Sequence, residues 1–303
     1  MSSNLPEKKP KAKAAAAPKS AQDSATSQKA AKPVRVITVS SGKGGVGKSN
    51  MTLALALALA DLGRKVLIWD ADLGLANTDV LLGIRTKYTI DDWLKGGKSL
   101  SEIIVKGPKG ISILPAASGI LELSEISEAQ KSRLIGEFEL FQDDLDFLLI
   151  DTAAGIGSNV IFFNLVAQEH LVVVSNEPTS ITDAYALIKA LYTKHKQSSF
   201  YLLPNMVSGA KEARAVFELM SNVAGQYLTG VCLDLVGYVP YDELVPAAVR
   251  QQQSFFILNP GSPAAVKILD LARHLIGRQP PAFGTGGLVL FLNRLVSREL
   301  AVD

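Results

Sequence analysis

An apolar run from Val34 to Val39 leads straight into Ser40-Ser41-Gly42-Lys43-Gly44-Gly45-Val46-Gly47-Lys48-Ser49, and a long apolar helical pattern begins near Asn50. Strand, glycine loop and helix in that order restrict the chain to a small set of α/β architectures. In that context the Gly-x-x-x-x-Gly-Lys-Ser pattern reads as a phosphate-binding loop. Its glycines let the backbone wrap close to an anion, where a Cβ would obstruct or strain the turn. The N–H groups of the loop and the positive end of the following helix complete the cradle. Lys43 is not required by the general pattern and stands in it as an extra cation.

Beyond the loop, apolar runs alternate with helical patterns. Strands are expected at 34–40, Lys65 to Asp70, Ile111 to Leu114, Asp146 to Asp151, His170 to Ser175, Ser199 to Asn205 and Cys232 to Val239. Helices are expected near 50–62, 125–141, 157–168, 179–195, 210–226, 243–252 and 262–276. The strands are nearly all apolar rather than alternating, as parallel strands covered on both faces should be. The reading is an α/β domain over 34–276, doubly wound, with a mostly parallel sheet and helices on both faces. With 303 residues, 48% of them hydrophobic, the chain can bury a substantial core.

Such sheets bind ligands beyond the carboxyl ends of their strands, so the strand ends are where chemistry is expected. The second strand ends in Asp70-Ala71-Asp72-Leu73-Gly74-Leu75-Ala76-Asn77. Carboxylates at i and i+2 face the same side of an extended segment. Beside a nucleotide they suit a magnesium water shell and an attacking water; without one they make an Asp-rich turn, with Asn77 capping the next helix. Phe147-Leu148-Leu149-Ile150-Asp151 is an apolar strand closed by an aspartate, a Walker B arrangement in which Asp151 meets magnesium directly or through water. Gly155 follows, with an N–H available to a γ-phosphate. Asn205 and the Pro240-Tyr241-Asp242 segment end two further strands, where they suit an adenine edge or serve as plain turns.

The flanks differ in character. Residues 1–33 hold seven lysines against Glu7 and Asp23 and almost no large apolar side chains, so this tail should be disordered. It is either solubilising or a basic tether to lipid, acidic protein or DNA. Overall net charge is only +2, which does not mark the whole chain as a nucleic-acid binder. The single cysteine, Cys232, excludes an internal disulfide, fits a reducing cytoplasm and is expected in the core. Ala14 to Ala17 is too short for a secretory signal, and Met51 to Ala60 too short to span a bilayer. Residues 277–287 read as a Gly/Pro linker. In 288–303, Leu288, Phe291, Leu292, Leu295 and Val296 share one helical face opposite Asn293, Arg294, Ser297 and Arg298. Such a helix docks on a protein surface or lies in a membrane interface; the latter is the expectation here.

Taken together, the loop with Lys43, Asp70-Ala71-Asp72 and Asp151-Thr152-Ala153-Ala154-Gly155 resemble the deviant Walker A ATPases of the MinD/ParA class (SIMIBI-type P-loop NTPases). Glu177-Pro178-Thr179-Ser180-Ile181-Thr182-Asp183 and Asn205-Met206-Val207 narrow the likeness to the flagellar-number regulators of the FlhG/FleN (YlxH) type. The resemblance implies an ATPase with ATP and Mg2+ as cofactors and an ATP-dependent homodimer. Lys43 would be the signature lysine that reaches the partner's phosphates, and Lys48 would contact the β- and γ-phosphates. Gly42 through Asn50, with Gly155, would enclose the nucleotide; Ser49 would ligate magnesium, with Asp70 and Asp151 supporting its hydration shell. Asp72 would position the hydrolytic water, and Asn205, Pro240, Tyr241 and Asp242 would contact adenine. The C-terminal helix, through 288–300, resembles a membrane-targeting sequence for the inner face of the cytoplasmic membrane.

Residues 1–33 lack the Asp-Gln-Ala-x-x-Leu-Arg element by which one branch of the family stimulates the GTPase FlhF; Ala21-Gln22-Asp23 does not match it. Stimulation of FlhF is therefore not expected, whereas binding to an FlhF-type GTPase, a flagellar transcription activator or a C-ring component stays open. A DNA-partitioning ATPase or a division-site positioning ATPase is the alternative, with DNA the less expected partner. A metal-cluster-loading ATPase would need paired cysteines. Deleting residues 288–303 is expected to abolish co-sedimentation with liposomes while leaving ATP hydrolysis intact; unchanged sedimentation refutes the membrane helix.

Overall fold

A computed structural model describes residues 1–2, 34–72, 78–116, 127–140 and 144–279. Residues 3–33, the stretch 73–77 with Asn77, the expected linker from residue 280 and the expected helix over 288–303 lie outside these residues. The fold is that of the compact unit beginning at Lys32. Its first half runs β1 (Arg35–Ser41), α1 (Lys48–Asp61), β2 (Val66–Ala71), α2 (Thr78–Leu82), α3 (Ile90–Leu94), α4 (Leu100–Ile103), β3 (Val105–Lys106), β4 (Ser112–Leu114) and α5 (Glu128–Glu139). The second half runs β5 (Phe147–Ala154), α6 (Ser158–Val166), β6 (Glu169–Ser175), α7 (Pro178–His195), β7 (Ser199–Val207) and α8 (Ala210–Tyr227). It closes with β8 (Cys232–Leu235), β9 (Val239–Pro240), α9 (Leu244–Arg250), α10 (Phe255–Leu258) and α11 (Pro263–Gly277).

The strands form one sheet in the order β3-β4-β2-β5-β1-β6-β7-β8, with β9 also pairing on β7. Every pairing is parallel except β3 on β4. The mostly parallel, doubly wound sheet is as expected. Three details differ. The antiparallel edge strand β3 is two residues long, too short to leave a periodic signal. The expected strand 232–239 is two pieces, β8 and β9, both paired with β7. Cys232 is exposed rather than buried, because β8 is the edge strand and Cys232 opens it.

Strand alternation divides the core between the two faces of the sheet. In β1, Ile37 and Val39 join the cluster that includes α1 and α11, whereas Val36 faces the side carrying Trp69 and Phe163. Farther along that second side, Val172, Val174 and Leu202 pack with residues of α6, α7 and α8. Helix α1 is buried at every position from Met51 to Leu59. An apolar surface all the way round fits a helix enclosed between sheet and neighbour rather than one facing water. The first helix after the loop is therefore held from several sides. No helix among the described residues is long and apolar enough to cross a membrane.

A buried ion pair fastens the opposite end of the sheet. Arg35 at the start of β1 donates through Nε to Glu169 Oε1 at 2.8 Å, and its guanidinium also donates to the Leu275 carbonyl at the end of α11. Tyr201 donates to Glu169 Oε2 at 3.1 Å. Burial, followed by the nearby Glu169 charge, pushes the Tyr201 hydroxyl up to about 12, so it remains a donor at neutral pH. Removing one partner of such a pair strands the other charge. Glu169→Gln is expected to destabilise the chain by about 3 kcal/mol in urea unfolding, and an unchanged midpoint refutes this anchor.

Candidate functional site

The loop between β1 and α1 is shaped by its neighbours as much as by any ligand. A Cβ on Gly42 would collide with the backbone of Asp183 in α7, so this glycine is required by protein packing. Gly47, at the start of α1, has φ +86°, a left-handed conformation that glycine adopts without strain. A Cβ there would also lie 2.6 Å from Asn205 Nδ2. That amide donates to the Val46 carbonyl at 2.8 Å, so the end of β7 braces the loop. Gly45 has φ +82° with open space around it, and Gly44 is equally unobstructed. Those two glycines, both exposed, leave room for an anion to approach.

The two loop lysines face different surroundings. Lys48 is buried, its Nζ 2.6 Å from Asp151 Oδ1 and 3.3 Å from Ser49 Oγ. Thr52 Oγ1 stands 3.1 Å from the same carboxylate oxygen. Asp151 is fully buried, and its Oδ2 has no hydrogen-bond partner among the described residues. Lys43 instead has a side chain 38% exposed. Its Nζ reaches Glu177 Oε2 at 2.7 Å and Thr179 Oγ1 at 2.9 Å, at the start of α7.

Behind the loop, a buried polar chain ties β1 to β5 and α6. Thr38 Oγ1 is 2.9 Å from Asn164 Oδ1, Asn164 Nδ2 donates to Ser40 Oγ at 2.9 Å, and Thr152 Oγ1 is 3.1 Å from Ser40. Buried polar groups satisfied in this way favour one arrangement of the strands carrying the loop and Asp151.

A cavity of about 930 Å³ opens over the loop. Of the residues expected there, Lys43, Gly44, Gly45, Gly47, Lys48, Ser49, Asn50, Asp72, Asn205, Pro240, Tyr241 and Asp242 line it. Gly42, Val46, Asp70, Asp151 and Gly155 are not part of that lining. Several are already engaged within the chain. Asp70 accepts the backbone N–H groups of Asp72 at 3.2 Å and Thr78 at 3.0 Å, so it shapes the turn after β2. The Gly155 N–H donates to the Ser41 carbonyl at 2.9 Å, a bond that must break before it can serve a phosphate. Asp242 receives Leu244 N–H at 3.0 Å and Ala264 N–H at 3.2 Å, fixing the starts of α9 and α11. Among the described residues no cluster of three or more His, Cys, Asp or Glu side chains could cage a metal.

Sequence reasoning missed the apolar wall. Met206, Leu81, Val245 and Val249 also line the cavity, beside the charged Arg250. Met206 holds a left-handed φ of +59° and, like Tyr241, keeps an exposed side chain. A non-glycine residue in that region is strained, and such strain collects where ligands bind. The i, i+4 spacing of Val245 and Val249 was the available signal, but it marks any amphipathic helix.

A family model described as ParA, NUBPL iron-transfer P-loop NTPase, matches residues 32–276. The chain belongs to the ParA family of P-loop NTPases. It is 47% identical to the antiactivator FleN of Pseudomonas aeruginosa over 264 residues, covering 87% of this chain and 94% of that protein. It is 36% identical to the flagellum site-determining protein YlxH of Helicobacter pylori, covering 80% of this chain and 82% of that one. Among solved structures, the MinD cell division protein of Aquifex aeolicus superposes with a TM-score of 0.66 at 28% identity, covering 82% of this chain and 99% of MinD. This ParA-family member thus has the family's loop and a cavity over it.

Packing and strain can be separated at the loop glycines. Gly45→Ala should cost about 1–2 kcal/mol, the left-handed penalty alone. Gly42→Ala must move α7 backbone and should cost more than about 3 kcal/mol. Equal unfolding midpoints for the two variants would refute the contact between the loop and α7.

Proposed function

We propose that this chain is an ATP-driven switch. It hydrolyses ATP to ADP and phosphate, pairs with a second copy when ATP is bound, and associates with the cytoplasmic membrane through residues 288–303. Its output is control of where and how many flagella assemble. The similarity to proteins named antiactivator FleN and flagellum site-determining protein YlxH supports the flagellar part. The observation that carries the switch is the divergence of the two loop lysines. Lys48 is buried on Asp151, whereas Lys43 stands at the cavity on a partly exposed side chain, in an ion pair with Glu177 that it would leave to serve a second molecule. A lysine supplied by a partner adds positive charge where the transferred phosphoryl group gathers negative charge.

The remaining roles follow from position. Lys48 exchanges its contact with Asp151 for the β- and γ-phosphates, and the backbone of Gly44 to Gly47 cradles them. The residues fit a magnesium ion: Asp151 has a buried oxygen lacking a partner among the described residues, and Ser49 lines the cavity beside Lys48. Bound magnesium supplies charge neutralisation on the phosphate oxygens. A cation that retains most of its waters needs no carboxylate cage, so Ser49, Asp151 and, more remotely, Asp70 suffice. Asp72 lines the cavity and orients the attacking water. Asn205, Pro240 and Tyr241 hold the base, with Met206, Val245 and Val249 as its apolar wall.

Pairing would present two copies of the 288–303 segment to the lipid at once, and the second would bind at high effective concentration, gaining about 10²–10⁴-fold in avidity. A metal-loading role has less support, since the chain offers one cysteine, exposed on the edge strand. ATPase rate per chain should rise with protein concentration through the dimerisation range; a constant rate counts against the shared site. Lys43→Ala should keep ATP binding, measured by calorimetry, but lose ATP-dependent pairing and at least about 10²-fold in turnover. Asp72→Ala should bind ATP and accumulate as a dimer on liposomes. Normal turnover by that variant refutes its water-orienting role.

A further inference from the structure

We infer that Arg250 grips the nucleoside end of the ligand by laying its guanidinium on the face of the base. This rests on the nucleotide reading above and adds to that site a cation that acts on the base rather than on the phosphates.

The cations in the cavity lining are Lys43, Lys48 and Arg250. Lys48 is held by Asp151 and Lys43 by Glu177. The exposed Arg250 side chain has neither an ion pair nor a hydrogen bond among the described residues. Elsewhere in the fold Arg35, Arg133 and Arg278 each hold a carboxylate. Arg250 therefore brings to the cavity a planar cation that the chain itself does not use.

Its surroundings decide which part of a nucleotide it meets. Val245, Pro246, Val249 and Arg250 all line the cavity, so one face of α9 is turned inward and Arg250 ends that face. Leu81 and Met206 add to the apolar lining. Phosphates gain nothing from such side chains, whereas a base covers its rings against them. A guanidinium is planar and weakly hydrated and stacks on aromatic faces, unlike the compact, strongly hydrated ammonium of lysine.

The backbone beneath the side chain is fixed. The Gln251 N–H donates to the Ala248 carbonyl and the Gln252 N–H to the Val249 carbonyl, both at 2.9 Å. Gln252 takes a left-handed φ of +52°, and the Gln253 N–H returns to the Ala248 carbonyl at 3.2 Å, which closes α9. A Cβ on Gly83, just past α2, would stand 3.5 Å from Gln252, so this turn is packed on its neighbour. Arg250 is thus an unengaged arm on a set base, placed to close over a ligand once one enters.

Arg250→Ala tests this on the full chain, because the exposed, unpaired side chain supports no other part of the fold. Calorimetry with ATP and magnesium should show binding about tenfold weaker than in wild type, the size of a desolvated stack between a guanidinium and an aromatic ring. Binding of inorganic tripolyphosphate, which has no base, should be unchanged. Arg250→Lys keeps the charge without the plane and should still bind ATP at least about threefold more weakly than wild type. Wild-type affinity for ATP in Arg250→Ala overturns the inference. An equal loss of tripolyphosphate binding also overturns it, by putting the arginine on the phosphates, as does wild-type affinity in Arg250→Lys, by showing that charge suffices. Absence of ATP binding in the unaltered chain would instead strike the nucleotide reading, and this inference with it.

Discussion

Two charges taken out of water, Lys48 and Asp151, meet at 2.6 Å behind the loop, and the site is arranged around them. Burial of either alone would be prohibitive, so each fixes the position of the other. Lys48 opens α1 and Asp151 lies in β5, the neighbour of β1. Their pairing therefore sets where the helix begins relative to the sheet. The same geometry leaves one carboxylate oxygen of Asp151 buried without a partner among the described residues. That oxygen is a standing demand for a cation or an ordered water.

The loop itself is clamped from two directions. Asn205 reaches from β7 to the Val46 carbonyl, and α7 presses its backbone against Gly42. A loop held this way is pre-shaped for an anion and loses little further freedom on binding. The clamp also explains why Lys43 and Glu177 stay together. Loop and helix start are packed backbone against backbone, and the ion pair lies at their exposed rim.

Much of this was legible in the residues. All-apolar strands, the glycine loop and aspartates at strand ends announced the parallel sheet and the strand ends over which the cavity opens. Asn205 and the Pro240–Asp242 segment are expected beside a ligand because strand ends are where such sheets bind, and they line the cavity. Glu177 and Thr179 gave no comparable signal as contacts of Lys43, since they lie more than a hundred residues away and act through space. Cys232 was misread for a related reason. An apolar run looks the same in a central strand and at an edge, and only the strand order separates them. Met206, Val245 and Val249 carry ordinary apolar patterns, so their part in the cavity wall emerged only when β7 and α9 were brought over the loop.

Local sequence by itself determined the elements, the loop and the kind of chemistry the chain is equipped for. Backbone preferences, apolar periodicity and the need of an anion for exposed N–H groups act over a few residues. Tertiary structure decided which glycine is required by packing and which by conformation. It also decided that Asp70 and Asp242 shape turns and helix starts, and that one loop lysine points inward and the other out. Those outcomes depend on contacts between distant segments, whose distances are set only when the sheet assembles.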